Sequence, residues 1–306
     1  MDINNYTPKY GGLNGRSFYS LEGFSAEEIY EILYAARLLK MKQQVGERQT
    51  SLIGKEILLV TKNAFSGIRI AFEIAVKQLC GTALTLPLGG TQIEALVDDA
   101  DFLPAIARYG VDGIVVNTED WRDAKLISSN APFPVIGAHG HTGPCMALAA
   151  MLTLWEKFGR LKDVSLGIIG NMQAHNFILQ AAIKCGMKIN VIGPENCLPT
   201  EEYVNAAAIY ATLKTFEDLS AGVKNCNALF VTAGDELGED FFLTEDVMDL
   251  TAPNSVFLHP LPVSRMTEAE SSVCDGPRSA MMDMAENLLH VEKAVLALTI
   301  GKPINN

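Results

Sequence analysis

Short apolar runs alternate with segments of helical apolar spacing along most of this chain, and this alternation limits its fold more than any other feature. Strands are predicted at 56–61, 84–86, 113–116, 134–136, 164–169, 188–192, 228–232 and 256–258. Helices are predicted at 26–43, 68–79, 96–109, 144–158, 174–185, 201–213 and 278–298. Strands that alternate with helices form parallel sheets covered on both faces. The predicted fold class is therefore α/β, with two doubly wound parallel-sheet domains.

The pattern also predicts where the two domains meet. We place an N-terminal α/β domain at 1–143 and a bridging helix at 144–160, where Pro144 suits a first helical turn. A C-terminal α/β domain follows at 161–277, and a terminal helix at 278–306 returns to the first domain. Ligands of open α/β sheets bind at the carboxyl ends of the strands, so we expect the site there, in a cleft between the two halves.

Composition excludes several classes of function. The 306-residue chain has a formal net charge of -12 at pH 7, whereas nucleic-acid surfaces need a basic stripe, so we expect no nucleic-acid partner. No apolar run reaches the roughly 18 residues of a membrane helix, and the first residues lack the regions of a signal peptide. The six cysteines are scattered, without a C-x-x-C pair, which favours reduced cytoplasmic thiols over structural zinc. We expect a cytoplasmic protein with a small-molecule ligand and no cofactor.

The last predicted strand carries the most specific motif of the chain. It ends in H-P-L-P at 259–262, followed by D-G-P-R-S at 275–279 and A-E-N at 285–287. Together with R-I-A-F-E at 69–73 and the segment 107–115, these motifs resemble the aspartate/ornithine carbamoyltransferase family. The resemblance runs through the whole chain in order. It implies the two-domain fold, carbamoyl transfer to an amino acid, and a homotrimer or a multiple of one.

The resemblance also shows where this chain departs from the family at the phosphate site. Family members hold the phosphate with an S-T-R-T-R turn at a helix N-terminus, and this chain has F-S-G-I-R at 65–69. A further phosphate arginine of the family is Asn117 here, and the lysine of a flexible loop is missing near 94–97. The site is therefore predicted to be degenerate. Its candidate substrate-binding residues are Ser66, Gly67, Arg69 and Asn117.

The box that contacts the carbamoyl group in the family, H-P-x-Q, is changed as well. It reads G-P-C-M at 143–146, and His139 and His141 lie just upstream. We take His139 as a substrate contact and His141, with His259 of the H-P-L-P turn, as candidate catalytic residues. A His-x-His pair with no established third ligand is not usually a metal site, so no metal is expected. For His259, an alternative is that the motif only ends a buried strand.

The amino-acid side offers further polar candidates at two loops of the second domain. The turn at 170–176 places amide and imidazole groups at a strand end, and the loop at 232–238 adds a carboxylate. The candidate substrate-binding residues in these loops are Asn171, Gln173, His175 and Asp235, and Leu261 of the H-P-L-P turn is a further candidate.

Loss of charge at the phosphate site favours a re-purposed transferase-like enzyme. It would act on a small amino-acid or ureido/amide substrate and would not use carbamoyl phosphate in the usual way. A first alternative is a catalytically inactive homologue that binds a metabolite or regulates a paralogue. A purely structural oligomeric component is another. The remaining alternative is ordinary carbamoyl transfer to an amino acid with substitute ligands.

Overall fold

A computed structural model gives the fold of the chain and describes residues 12–62, 67–88, 92–99, 101–139, 143–172, 177–232, 237–265 and 267–302. Two compact units make up this part of the chain. The first unit contains the residues up to Cys145 together with those from Leu288 onward, and the second contains Met146–Asn287. The domain boundaries predicted at 143, 160 and 277 stay predictions.

The first unit is built on a four-stranded sheet whose strands all run parallel. Its strands are β1 (Glu56–Thr61), β2 (Thr82–Pro87), β3 (Val111–Asn117) and β4 (Val135–Gly137), in the order β2-β1-β3-β4. Its helices are α1 (Ala26–Gln44), α2 (Gly67–Gln78), α3 (Gln92–Asp98), α4 (Phe102–Arg108) and α5 (Trp121–Ser128). Buried Val60 and Val116 lie in the apolar core on the sheet. The helix α6 (Pro144–Phe158) then leads into the second unit.

The second unit has a five-stranded sheet, also parallel throughout. Its strands are β5 (Ser165–Ile169), β6 (Lys188–Ile192), β7 (Thr212–Phe216), β8 (Ala228–Val231) and β9 (Val256–Leu258), in the order β7-β6-β5-β8-β9. Its helices are α7 (Phe177–Lys184), α8 (Glu201–Ala207), α9 (Leu219–Val223), α10 (Glu245–Met248) and α11 (Ser271–Asp275). The last helix, α12 (Met281–Thr299), contributes residues to both units. The predicted α/β fold with two parallel-sheet domains is confirmed.

Local sequence signals determine where several helices begin, and one example is the start of α1. The hydroxyl of Ser25 accepts the N–H of Glu28 at 3.2 Å, and the Glu28 carboxylate accepts the N–H of Ser25 at 2.8 Å. This reciprocal pair is a capping box, which satisfies two N–H groups that a helix leaves unpaired at its start. The predicted cap at Ser25 is confirmed.

Two of the helix predictions were wrong in extent. The helix predicted at 96–109 is two helices, α3 and α4, because the side chain of Asp99 accepts the N–H of Asp101 at 3.0 Å and turns the backbone. The helix predicted at 201–213 ends at Ala207, and Thr212–Phe216 is the edge strand β7. Leu213 is buried there while Thr212 and Lys214 on either side of it are exposed, because successive side chains of a strand point to opposite faces. Among the residues described, no helix is long and apolar enough to cross a membrane.

Candidate active site

At the carboxyl edge of the first sheet, Asn117 joins three strand ends. The hydroxyl of Thr61 donates to Asn117 Oδ1 at 3.0 Å, and Asn117 Nδ2 donates to the carbonyl of Ala138 at 2.8 Å. Asn117 is 4% exposed. Its oxygen and its nitrogen both bond within the protein, so this side chain ties the ends of β1 and β3 to the residue that follows β4.

Beside this edge, α2 begins at Gly67, which is exposed and has open space around its Cα. Within the helix, Arg69 Nε lies 3.5 Å from Glu73 Oε1. Lys62 directly follows β1, and its Nζ lies 3.5 Å from Asp123 Oδ2. Sequence reasoning missed Lys62, although its position at the carboxyl end of a strand was a usable signal. The candidate Ser66 lies outside the described residues.

His139 follows β4 and is 2% exposed. Its ring lies against Gly137, where a Cβ would come within 2.3 Å of Nε2, and its carbonyl accepts the N–H of Gly143 at 3.0 Å. Gly137 and Gly143 therefore both leave room for His139, the first beside its ring and the second beside its carbonyl. Asn117 and His139 are close in this unit, because Asn117 bonds to Ala138. His141 lies outside the described residues.

In the second unit, Gly170 and Asn171 directly follow β5, next to Thr232, which directly follows β8. A Cβ on Gly170 would lie 1.8 Å from Thr232 Oγ1, so only glycine fits between these two strand ends. Asn171 is partly buried, and the next N–H, of Met172, donates to the carbonyl of Cys197 at 2.7 Å. The candidates Gln173, His175 and Asp235 lie outside the described residues.

The H-P-L-P turn follows β9, and its histidine is fully buried. His259 Nδ1 lies 2.5 Å from the carbonyl oxygen of Pro260, and Nε2 lies 3.2 Å from Glu268 Oε2. Leu261, at the outside of the turn, is 37% exposed. Because β5, β8 and β9 are neighbours in one parallel sheet, the turn shares its carboxyl edge with Gly170 and Asn171. Glu268 was missed, since nothing in the sequence pairs it with His259.

Buried ionisable groups also cluster in the first unit, mainly on α12. Burial, then the Lys293 and Lys40 cations, lowers the pKa of His290 to about 3. Burial lowers the pKa of Lys293 to about 8 and raises the pKa of Glu292 well above its ordinary value. Burial, with a contribution from Glu292, raises the pKa of the Cys145 thiol. Burial thus favours the neutral forms of His290, Glu292 and the Cys145 thiol, whereas Lys293 remains mainly a cation near pH 7.

Over the described residues, no group of three or more His, Cys, Asp or Glu side chains is arranged to hold a metal ion. The polar candidates that the structure brings together form two sets, one in each unit. Asn117 and His139 lie at the edge of the first sheet, and Asn171 and His259 at the edge of the second. Which of them contact a substrate stays a prediction.

Comparison with known proteins extends over nearly the whole chain. Residues 16–156 match the family model described as the aspartate/ornithine carbamoyltransferase carbamoyl-P binding domain, and residues 162–299 match the Asp/Orn binding domain of the same family. The anabolic ornithine carbamoyltransferase of Pyrococcus furiosus is 32% identical over 94% of this chain and 98% of its own. The ornithine carbamoyltransferase of Halalkalibacterium halodurans is 33% identical over 98% and 100%.

Comparison with solved structures also finds carbamoyltransferases. The structure of the Pyrococcus furiosus ornithine carbamoyltransferase superposes with a TM-score of 0.85 at 30% identity, covering 94% of this chain and 98% of that one. The aspartate transcarbamoylase of Trypanosoma cruzi in complex with carbamoyl phosphate gives a TM-score of 0.82 at 19% identity, covering 96% and 98%, a likeness of fold alone.

These findings correct the main functional prediction. The expectation of a re-purposed enzyme that does not use carbamoyl phosphate in the usual way is wrong, because the similarity to ornithine carbamoyltransferases is continuous at 30–32% identity over nearly the full length. The expectation failed because missing arginines were counted as lost function. Asn117, at one of those positions, has a structural role in the sheet edge.

Proposed function

This chain belongs to the aspartate/ornithine carbamoyltransferase family, and from this premise we propose that it transfers a carbamoyl group from carbamoyl phosphate to the amino group of an amino acid. Ornithine is the first acceptor to test. The observation that carries the proposal is the full-length similarity to proteins named ornithine carbamoyltransferase at 30–33% identity. The match to an aspartate transcarbamoylase is weaker, at 19%.

In the proposed reaction, the neutral amine of the acceptor attacks the carbonyl carbon of carbamoyl phosphate. A C–N bond forms, the C–O bond to phosphate breaks, the phosphate leaves with the bonding electron pair, and it takes up the proton that the amine loses. No oxidant or reductant is needed. By the family models, the phosphate would be held in the first unit and the amino acid in the second.

The phosphate site is proposed to be a rebuilt one, in which other cations replace the arginines of the family motif. The N-terminus of α2 presents backbone N–H groups, which suit an anion. Lys62, which precedes that terminus in the sequence, and Arg69, in the first turn of α2, are the proposed sources of positive charge. Each is paired with a carboxylate at 3.5 Å and is partly exposed. Exposed pairs of this kind contribute little free energy, so Lys62 can exchange Asp123 for phosphate at small cost, and Arg69 adds positive charge in the first turn of the helix.

The test is a calorimetric titration with carbamoyl phosphate, followed by an assay for carbamoylated ornithine and aspartate. The wild type should bind carbamoyl phosphate and carbamoylate ornithine. Lys62→Ala and Arg69→Ala should each weaken carbamoyl phosphate binding about tenfold or more, because charge-assisted bonds are lost. Lys77→Ala is the matched control, since it removes the same charge from the other end of α2 and should leave binding unchanged.

A wild type that neither binds carbamoyl phosphate nor forms a carbamoylated amino acid would refute the proposed function. Binding that survives the loss of both cations would refute their role but leave the function standing. The alternative of a catalytically inactive homologue predicts binding of a metabolite with no carbamoylated product.

We further propose that the chain works as a homotrimer or a multiple of one in the cytoplasm. Exposed apolar side chains on α2 and on the edge strand β2 support an interface between copies, these being Ile70 at 51%, Ile74 at 41% and Leu84 at 47% exposure. Edge strands and apolar patches of this kind are normally covered. Light scattering should give the mass of a trimer or of a multiple of one for the wild type, and a monomer mass for Ile74→Glu. A monomeric wild type would refute the trimer.

A further inference from the structure

The helix α12 carries a carboxyl group that lies in the core of the first unit. Glu292 is 0% exposed, and neither of its oxygens has a hydrogen-bond partner among the described residues. Leu288 and Val295, one helical turn away on either side, are also buried, so the neighbours of Glu292 along this face of α12 are apolar. Buried polar groups in folded proteins are nearly always hydrogen-bonded, and an exception needs a physical reason. Glu292 is an exception of this kind.

The charges described around Glu292 do not favour its ionised form. Burial alone raises the pKa of Glu292 well above the ordinary value, with no contribution from a cation. The adjacent Lys293 donates to Gln43 Oε1 of α1 at 3.0 Å. Burial, then Lys293 and Lys40, lowers the pKa of His290, so these cations act on the histidine. Because an unpaired charge costs far more in a protein core than in water, the neutral acid is the favoured form of Glu292 in the folded protein.

The carboxyl group of Glu292 is also close to the start of α6. Burial, with a contribution from this carboxyl, raises the pKa of the Cys145 thiol, which places the two side chains near each other. Cys145 is 3% exposed and lies in the first turn of α6. Two residues before it, the N–H of Gly143 donates to the carbonyl of His139 at 3.0 Å. The packing of Glu292 is therefore linked, through the first turn of α6, to a candidate residue at the edge of the first sheet.

We propose that Glu292 is a positioning residue for carbamoyl transfer, which holds the first turn of α6 and the adjoining His139 in place only while its carboxyl group is protonated. A protonated carboxyl group can stay in the core, whereas an ionised one needs water, which reaches it only if the packing around it opens. Cys145 is the residue of another element whose pKa the Glu292 carboxyl affects, so the first turn of α6 is the part that should move. This inference rests on the proposed function and adds a residue that does not touch the substrate.

The first test is the pH dependence of kcat/KM for carbamoyl transfer to ornithine by the full chain, between pH 6 and pH 10. Glu292→Gln keeps the shape of the neutral acid and cannot ionise, so it should match the wild type near neutral pH. Above the folded pKa of Glu292, the wild type should lose about tenfold in kcat/KM relative to Glu292→Gln for each further pH unit. Glu31→Gln is the matched control, because it removes another buried carboxyl group of the first unit, on α1. It should keep the pH profile of the wild type.

Protonation and packing can also be measured without any activity. The infrared difference spectrum between the wild type and Glu292→Gln at pH 7.5 should contain the C=O stretch of a protonated carboxylic acid. Hydrogen exchange in residues 143–150 of the wild type should speed up between pH 7.5 and pH 10 by more than the chemical rate of exchange does. In Glu292→Gln it should follow the chemical rate alone, because no charge forms in the core.

Equal pH profiles for the wild type and Glu292→Gln up to pH 10 would overturn the positioning role. A Glu292→Gln variant that is folded but inactive at neutral pH would overturn it too, because the ionised carboxylate would then be required. A difference spectrum without the carboxylic acid band would overturn the neutral form. A wild type that transfers no carbamoyl group would instead refute the proposed function, while the infrared and exchange measurements would still test the state of Glu292. The two failures are therefore distinguishable.

Discussion

Replacing His290 by leucine should make the protein less sensitive to mild acid. His290 is 2% exposed on α12, its Nδ1 has no hydrogen-bond partner among the described residues, and burial with the nearby Lys293 and Lys40 lowers its pKa to about 3. In the unfolded chain its pKa is about 6.5. As pH falls, the unfolded chain therefore binds this proton first, and stability is lost from pH 6.5 downward until the folded pKa is reached.

The size of the effect follows from these two values. Each pH unit below 6.5 in which the folded ring stays neutral costs about 1.4 kcal/mol. Between pH 7.5 and pH 5.5, His290 should therefore remove about 1.4 kcal/mol from the free energy of unfolding. Between the same two pH values, the free energy of unfolding of His290→Leu should fall by about 1.4 kcal/mol less than that of the wild type. The raised pKa of Glu292 acts in the opposite direction, but it is common to both proteins and cancels in the comparison.

The assay is urea unfolding of both proteins at the two pH values. Protein concentration is kept equal, because the stability of an oligomer depends on it. Val291→Ala is the control, since it opens a cavity at a fully buried position of the same helix. It should lower stability by a similar amount at both pH values. If His290→Leu and the wild type lose equal stability between pH 7.5 and 5.5, the ring is not neutral in the folded protein and the reasoning fails.

Three further predictions follow from other buried contacts. Glu292→Gln should reduce the fall in melting temperature that occurs as pH rises above 4.5. The raised pKa of Glu292 in the folded protein adds stability at low pH, and this stability is lost as the carboxyl group ionises. An unchanged dependence of melting temperature on pH would contradict this. Gly170→Ala should prevent folding or lower the melting temperature sharply, as its Cβ would meet Thr232 Oγ1 at 1.8 Å, whereas Gly23→Ala, with open space, should be tolerated. Asn117→Ala should cost about 1–3 kcal/mol in urea unfolding, since two buried hydrogen bonds at the sheet edge are lost; a loss below about 0.5 kcal/mol would contradict that role.

What the sequence could predict is set by the range of the interactions involved. Strand periodicity, the Ser25 cap and the parallel α/β order are local signals, and they predicted most elements of both sheets. The edge strand β7 was missed because the alanine-rich stretch before it continues a helical pattern. The burial of His290, Glu292 and Lys293 was also unpredictable, since an amphipathic pattern on α12 places charged residues on a solvent face by default.

For the candidate site, the sequence predicted positions but not partners. His259 could be placed at the end of a strand, whereas its contact with Glu268 exists only once the loop between them has folded. The motif alone could not distinguish a histidine that contacts the substrate from one that ends a strand. The contacts with Pro260 and Glu268 favour an anchoring role within the turn.

The position of Asn117 explains why counting lost motif residues misjudged the function. A polar residue that replaces a ligand-binding arginine suggests a new ligand contact, yet both polar groups of Asn117 are used to join strand ends. A substitution at a position where the family has a ligand-binding residue can therefore serve packing within the protein, and it does not show that the reaction is lost. If this chain binds carbamoyl phosphate, the compensating charge must come from residues outside the motif positions that changed. Lys62, shortly before α2 in the sequence, and the retained Arg69, in the first turn of α2, are two cations of the described first unit that we propose supply it.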